Sequence, residues 1–198
     1  MQRNILVFTG SGDGDDPKYI QASHDTGQLI AENRDRLVYG GGSPGCMGAL
    51  ASGCMSHGGA VTGIIPDFIF GKEQPMTSLR KPPHKLIVTN SMSERKDKMF
   101  ELAHVVVTLP GGYGTMDELF EGLTNSKLVE WRGSVMRPNI LVNIDGYWDP
   151  LISLIDNTIV SKKFGPQLPN RFVVNRVDEI YPQLNAAMGQ NIHNFKRA

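Results

Sequence analysis

Residues 110–118 read PGGYGTMDE and combine a glycine-rich turn with two carboxylates. Glycine lets the backbone bring its N–H groups close to a ligand. Thr115 and Glu118 fit the T-x-x-E capping box, which starts a helix and by itself needs no catalytic role. Because a helix N-terminus also attracts anions, the stretch predicts one of two things: a capped turn, or a phosphate site with an acid on the following helix.

A second stretch, SMSERKDK at residues 91–98, places cations near another helix start. Ser91 and Glu94 fit a capping box, so Arg95 falls in the first or second turn, where a cation opposes the helix dipole. One interpretation is a solvated helix start that Glu94 compensates locally. The other is that Arg95 faces a bound anion, or a carboxylate across the ligand.

An arginine and a carboxylate beside a phosphate suggest one reaction. In a nucleoside monophosphate the bond between base and ribose lies near the phosphate, and its cleavage passes through an oxocarbenium-like ribosyl cation. A carboxylate can stabilise that cation and position or deprotonate the attacking water. An arginine can keep the carboxylate ionised and correctly oriented. Glu118 and Arg95 are the candidates for these two roles.

Strand-like and helix-like segments alternate along the chain, which predicts an α/β fold: a Rossmann-like, doubly wound parallel sheet of about seven strands flanked by helices. We expect a single nucleotide-binding domain over residues 1–188 and a polar, mobile C-terminal tail at 189–198. Six apolar helical stripes separate the strands. The predicted strands are Asn4–Thr9, Leu37–Tyr39, Ala60–Ile65, Lys85–Thr89, Val105–Leu109, Asn139–Ile144 and Phe172–Val174.

Three glycine-rich stretches directly follow predicted strands, at residues 9–16, 40–48 and 110–115. In a doubly wound sheet, ligands bind beyond the carboxyl ends of the strands, which is where these stretches fall. None has the dinucleotide spacing or the Walker A lysine. One such loop is as easily a plain turn as a ligand site, but three together favour a nucleotide-sized ligand.

Composition narrows the class of partner. Twenty Lys plus Arg balance twenty Asp plus Glu, which gives no electrostatic case for nucleic acid or an anionic membrane. The five histidines and two cysteines lack metal-ligand spacing, so we expect no metal site and interpret Cys46 and Cys54 as buried thiols. With no apolar run of signal-peptide or membrane-spanning length, a cytoplasmic location is expected.

SMSERK followed by PGGYGTMDE resembles the paired MHxRK and PGGxGTxxE signatures of the Lonely guy (LOG) family, and the similarity spans most of the chain. Its members are cytokinin riboside 5′-monophosphate phosphoribohydrolases that are often labelled lysine decarboxylases. The resemblance implies a Rossmann-like homodimer, or a higher assembly of dimers. It also implies hydrolysis of the N-glycosidic bond of an adenine-type nucleoside monophosphate to free base and ribose 5-phosphate.

Carried onto this sequence, the resemblance makes Arg95 and Glu118 the catalytic pair and implies neither cofactor nor metal. A pyridoxal phosphate decarboxylase needs a Schiff-base lysine, and no lysine is singled out for that role. The remaining residues implied at the substrate site are the phosphate loop, two residues of the first signature, two glycines of the second wall and the opening serine. These are Gly111, Gly112, Gly114 and Thr115, then Met92 and Lys96, then Gly41 and Gly42, and Ser11.

Three departures from the family pattern concern specificity. Ser93 replaces the histidine of the first signature, Gly12 stands where a second serine is usual, and the segment from Trp131 to Pro138 is short and altered. The altered segment leaves open a phosphoribohydrolase for a different base. A protein that binds a nucleotide or a molybdenum cofactor without catalysis is the other alternative, although it would have no need for both Arg95 and Glu118.

Overall fold

The computed structural model describes residues 2–71, 75, 77–131 and 137–194. Seven strands form one sheet in which every neighbouring pair is parallel, in the order β4-β3-β2-β1-β5-β6-β7. The predicted fold class is confirmed, and each predicted strand is present. The strands are β1 (Asn4–Phe8), β2 (Arg36–Tyr39), β3 (Ala60–Pro66), β4 (Lys85–Thr89), β5 (Val105–Thr108), β6 (Asn139–Val142) and β7 (Arg171–Val174).

Within the described residues, six α-helices flank the sheet: α1 (Pro17–Glu32), α2 (Gly45–Ser56), α3 (Met92–Leu102), α4 (Tyr113–Trp131), α5 (Asp149–Leu154) and α6 (Ile180–Asn194). A π-helical segment, Ile155–Val160, continues α5. Because α6 extends to Asn194, it includes the first residues of the segment predicted as a tail, whereas residues 195–198 lie outside the description. Among the described helices, none combines the length and the apolar character needed to cross a membrane.

Strand β1 shows why the sheet is covered on both faces. Side chains alternate across a strand, so Ile5 and Val7 join the core formed with α1, α2 and α6. Leu6 and Phe8 point the other way into a second core against α3, where the rings of Phe8 and Phe100 meet edge to face at 5.8 Å. All four side chains are buried. Continuous apolar runs are typical of such strands, because neither face is left for polar residues.

The direction of the winding reverses at β1, which pairs with β2 on one side and with β5 on the other. Ligands of doubly wound sheets bind in the crevice at this reversal. The loops after β1 and β5 meet there, since a Cβ added to Gly111 would lie 2.8 Å from the backbone nitrogen of Gly10. Only glycine permits this approach. The fold therefore brings the first and third glycine loops together.

Candidate functional site

A cleft of about 280 Å³ lies at the carboxyl ends of β1, β2 and β5. It is walled by the loops that follow these strands and by the first turns of α3 and α4. The residues that line it are Val7, Phe8, Thr9, Gly10, Ser11, Gly40, Met47, Met92, Arg95, Gly112, Tyr113, Gly114, Thr115 and Glu118. The structure thus brings together residues from the two stretches that the sequence singled out.

After two of the three glycine loops, the N–H groups at the start of the following helix donate hydrogen bonds to oxygen atoms of the protein itself. At α1 the side chain of Asp16 accepts from the Lys18 N–H at 2.9 Å. At α2 the N–H groups of Cys46 and Met47 donate to the carbonyls of Gly12 and Gly10, at 3.3 and 3.1 Å. The second loop therefore supports the first loop, and its helix N-terminus is engaged with protein carbonyls.

The third loop differs, because the first turn of α4 itself lines the cleft. Gly112, Tyr113, Gly114 and Thr115 are all part of the lining. The first N–H groups of a helix have no acceptor within that helix, and the helix dipole places partial positive charge there. This end of α4 is accordingly suited to hold one phosphate.

Arg95 is held in the wall of the cleft by backbone carbonyls. The side chain, only 6% exposed, donates from Nε to the Ile64 carbonyl at 3.1 Å and from Nη2 to the Gly40 carbonyl at 2.9 Å. Its Nη1 lies 3.7 Å from the sulfur of Met92. These contacts join α3 to the ends of β2 and β3. The guanidinium is therefore held by the protein. The interpretation of this segment as a solvated helix start would have left it exposed to water.

Glu118 lies on α4, just beyond the glycine turn, and its side chain is 8% exposed. It lines the same cleft as Arg95 and Thr115. A role as a helix cap alone would not require the Glu118 side chain to line a cleft. The arrangement is consistent with the catalytic interpretation, in which the acid acts on a ligand whose phosphate sits at the same helix end.

Lys96, the next residue of the first signature, has a different surrounding. It is absent from the lining, and its Nζ pairs with Asp117 at 2.9 Å and with Glu121 at 2.6 Å. The hydrogen bond to Glu121, followed by that to Asp117, raises the pKa of Lys96 above its usual value, although partial burial opposes the shift. Lys96 therefore ties α3 to α4 on either side of Glu118.

The other predicted site residues divide between the lining and its border. Met92 and Ser11 line the cleft. Gly111 immediately precedes the lining residue Gly112. Gly41 and Gly42 lie just beyond Gly40, which is the lining member of that run, and Gly42 forms an isolated bridge with Pro75.

Two of the three departures from the family pattern, Ser93 and Gly12, are described residues that do not line the cleft. Ser93 is exposed, and a Cβ at Gly12 would meet nothing within 4 Å, so a serine would fit there. The altered segment after Trp131 falls on residues 132–136, outside the described residues.

Some lining residues lie within the three glycine-rich stretches but were not named individually from the sequence: Thr9, Gly10, Gly40, Met47 and Tyr113. Tyr113 sits inside the quoted PGGYGT motif and is 94% exposed at the mouth of the cleft, so its position was a usable signal. Gly40 and Met47 lie in the stretch 40–48, but nothing in the sequence distinguishes them from its other residues, because the contact of Gly40 with Arg95 is made between distant parts of the chain.

A larger groove of about 650 Å³ runs along α1 beside the loop after β7, away from the candidate residues. Two ion pairs lie in this groove: Lys18 with Asp145 at 3.0 Å, and Arg176 with Asp178 at 2.7 Å. Size therefore does not identify the site here. Among the described residues there is also no group of three or more His, Cys, Asp or Glu side chains suited to a metal ion.

Fold and site together define a Rossmann-like α/β protein with a cleft of about 280 Å³ that is lined by a buried arginine and a buried glutamate. The family model described as "Possible lysine decarboxylase" matches residues 47–184. A cytokinin riboside 5′-monophosphate phosphoribohydrolase of Rhodococcoides fascians is 36% identical over 176 residues, which cover 87% of this chain and 83% of that protein. An Arabidopsis thaliana protein with the same activity in its name is 36% identical over 174 residues, covering 87% and 76% respectively.

Solved structures share the fold at lower identity. The molybdenum cofactor carrier protein of Chlamydomonas reinhardtii aligns with a TM-score of 0.69 at 19% identity, covering 96% of this chain and 99% of its own. A molybdenum cofactor binding protein of Rippkaea orientalis aligns with a TM-score of 0.65 at 20% identity, covering 95% and 98%. At such identity the likeness concerns the fold alone. The matches in sequence show that the chain belongs to the LOG family.

Proposed function

We propose that the protein hydrolyses the N-glycosidic bond of a nucleoside 5′-monophosphate, either a cytokinin riboside 5′-monophosphate or AMP, and releases the free base and ribose 5-phosphate. The observation that carries the proposal is one cleft lined by buried Arg95, buried Glu118 and the N-terminal turn of α4. Membership of a family whose relatives are named for this reaction supports it.

The proposed mechanism follows from the chemistry of these groups. The phosphate binds at the N-terminus of α4. The ribose then lies in the cleft beside Arg95 and Glu118. As the C1′–N bond breaks, its electron pair leaves with the base, and Glu118 stabilises the ribosyl cation. Water adds to C1′ and loses a proton, with Glu118 as the general base, and the base gains a proton. Arg95, held by the carbonyls of Gly40 and Ile64, keeps the carboxylate charged and oriented.

The reaction is tested by incubating the protein with AMP and with an N6-substituted adenosine monophosphate and measuring ribose 5-phosphate. We expect release from at least one of them. The Glu118→Gln variant should lose on the order of 10²-fold or more in kcat, the scale of a positioned acid–base group.

Glu101→Gln is the matched control, because Glu101 is an exposed glutamate on α3 that pairs with Lys98 at 2.6 Å outside the cleft. It should keep the activity of the unmodified protein. No release from either nucleotide, or full activity in Glu118→Gln, would contradict the proposed function.

The preferred base is a separate part of the proposal. The altered segment after Trp131 motivates a panel in which only the base of the monophosphate varies. A preference for pyrimidine or unsubstituted purine monophosphates would assign the protein to a different base. Tight binding of an intact nucleotide or molybdenum cofactor without turnover would instead favour the binding alternative.

The description of the family as a lysine decarboxylase is not part of the proposal. Decarboxylation with pyridoxal phosphate needs a lysine that forms a Schiff base with the cofactor. No lysine is among the described residues that line the cleft, and Lys96 beside it pairs with two carboxylates.

We also propose a cytoplasmic homodimer. Cys46 and Cys54 are both unpaired and buried, which agrees with a reducing compartment. Two aromatic side chains on the outer surface of α4, Tyr113 at 94% and Phe120 at 38%, are exposed and offer apolar area to a second copy. Light scattering coupled to gel filtration tests the assembly, and a monomer mass at micromolar concentration would contradict it.

A further inference from the structure

Tyr147 reaches the phosphate loop from a distant part of the chain. It lies in the turn after β6, in the motif DGYWDP, and its hydroxyl donates to the carbonyl of Gly111 at 2.8 Å. Gly111 begins the turn whose next residues, Gly112 to Thr115, line the cleft. The proposed function assigns no role to Tyr147, and the residue is absent from the lining.

The contact fixes the direction of a peptide group. In a trans peptide the carbonyl and the following N–H point in opposite directions, and the Gly111–Gly112 bond is trans. Because Tyr147 holds the Gly111 carbonyl, the Gly112 N–H points away from Tyr147. Thr9 acts similarly one residue earlier, since its hydroxyl donates to the Pro110 carbonyl at 3.3 Å.

Both carbonyls at the start of the loop are therefore engaged by hydroxyl groups. This matters because a carbonyl oxygen that turned into the cleft would repel a phosphate, whereas an N–H attracts it. Without such a contact, the glycine peptides could rotate readily, since glycine adopts many backbone conformations. A fixed loop binds its ligand without the entropic cost of ordering.

The turn that carries Tyr147 is itself held firmly. The side chain of Asn143 accepts from the Trp148 N–H at 2.7 Å and donates to Asp149 at 2.7 Å. The Tyr147 ring packs edge to face on Trp148, with ring centroids 4.8 Å apart, and on Tyr19 of α1 at 5.7 Å. These contacts restrict the movement of the Tyr147 ring and so fix the position of its hydroxyl.

We propose that Tyr147 is a positioning residue that orients the phosphate loop and so sets the affinity for the substrate's phosphate group. The identity of the ligand in this inference rests on the proposed function. The role of the Tyr147 hydroxyl rests only on its hydrogen bond to the Gly111 carbonyl. This role predicts an effect on binding of the phosphate, shared by substrate and product, with little effect on the chemical step.

The test is Tyr147→Phe, which removes the hydroxyl and keeps the ring contacts. We expect KM for the nucleotide and the dissociation constant of ribose 5-phosphate to rise about fivefold to tenfold, the usual worth of one hydrogen bond, with kcat within about twofold. Calorimetric titration with ribose 5-phosphate and with inorganic phosphate gives the affinities directly. Thermal unfolding reports any loss of stability separately.

Tyr19→Phe is the matched control, because it removes a hydroxyl from the neighbouring ring, for which the described residues provide no hydrogen bond. It should leave KM and phosphate affinity unchanged. A Tyr147→Phe protein with unaltered phosphate affinity would overturn the inference, even if its melting temperature fell. Weakened phosphate binding in a protein that hydrolyses no nucleotide would support the inference while removing the proposed function.

Discussion

Gly40 shows how the absence of a side chain can leave room for the guanidinium of a candidate catalytic residue, Arg95. The Gly40 carbonyl accepts from Arg95 Nη2 at 2.9 Å, and a Cβ at this position would lie 2.1 Å from the same nitrogen. That separation is far below van der Waals contact. A methyl group here would therefore push the guanidinium out of its place while leaving its charge intact.

We predict that Gly40→Ala lowers kcat by about 10²-fold, because displacing a catalytic group by about 1 Å commonly costs that much. Steady-state kinetics with the best nucleotide measures the effect, and circular dichroism checks the fold. Gly189→Ala is the control, since a Cβ there meets nothing within 4 Å in α6, and it should keep full activity. Undiminished turnover in Gly40→Ala would mean that Arg95 needs no fixed position.

Arg95 and Glu118 were predicted from their motifs, and both line one cleft although their helices follow β4 and β5, which β3, β2 and β1 separate in the sheet. The sequence did not suffice for Gly40, since its contact with Arg95 is made across 55 residues and leaves no pattern along the chain. The contact of Tyr147 with Gly111 likewise leaves no pattern in the sequence, because a hydrogen bond to a backbone carbonyl can be made to any residue type.

At the scale of elements, ion pairs between α3 and α4 fix the position of the helix that carries Arg95 relative to the helix that carries Glu118. Lys96 follows Arg95 on α3, while Asp117 and Glu121 flank Glu118 on α4. The ammonium pairs with both carboxylates, and its side chain is only 16% exposed. The resemblance implies that Lys96 lies at the substrate; in the structure it does not line the cleft, and its ammonium contacts the two carboxylates of α4.

We predict that Lys96→Gln lowers the free energy of unfolding by about 1 kcal/mol, the upper range for a partly exposed ion pair. The pKa of Lys96 is raised above the ordinary 10.5, so its stabilisation is fully present below that pH and is lost as pH rises through the higher folded value. Urea unfolding at pH 8 and at pH above 11 measures the difference from the unmodified protein, which should shrink at the higher pH.

Lys98→Gln is the control for that experiment, because Lys98 pairs within α3 with Glu101 and is 44% exposed. Its effect should be smaller at both pH values. A Lys96→Gln protein as stable as the unmodified one at pH 8 would show that packing alone joins the helices.

The strands were the most predictable elements, since burial on both faces favours continuous apolar runs such as the three valines that begin β5. Helix ends were less predictable: α6 continues to Asn194, into a segment whose composition suggested a tail, because a short polar sequence does not distinguish a helix from an extended chain.

At the scale of the whole molecule, one buried carboxylate joins the two ends of the described chain. Asp35, 3% exposed, lies between α1 and β2. It pairs with Arg3 before β1 at 2.7 Å, accepts the Arg3 backbone N–H at 2.8 Å and accepts the Tyr181 hydroxyl of α6 at 2.9 Å. The Arg3 guanidinium also lies over the Tyr181 ring, 5.3 Å from its centroid. The first strand and the last helix are thereby linked through one residue, as a single domain over residues 1–188 would require.

We predict that Asp35→Asn lowers the free energy of unfolding by about 3 kcal/mol, because it leaves Arg3 without its buried partner, while kcat of the folded protein stays unchanged. Tyr181→Phe removes one hydrogen bond to the same carboxylate and should cost only about 1 kcal/mol. Urea unfolding followed by circular dichroism should show one transition, with a lower midpoint and the same slope, since a single domain loses all its structure together. If α6 instead unfolded in a separate first step, the C-terminal helix would be an independent unit, and the single-domain prediction would be wrong.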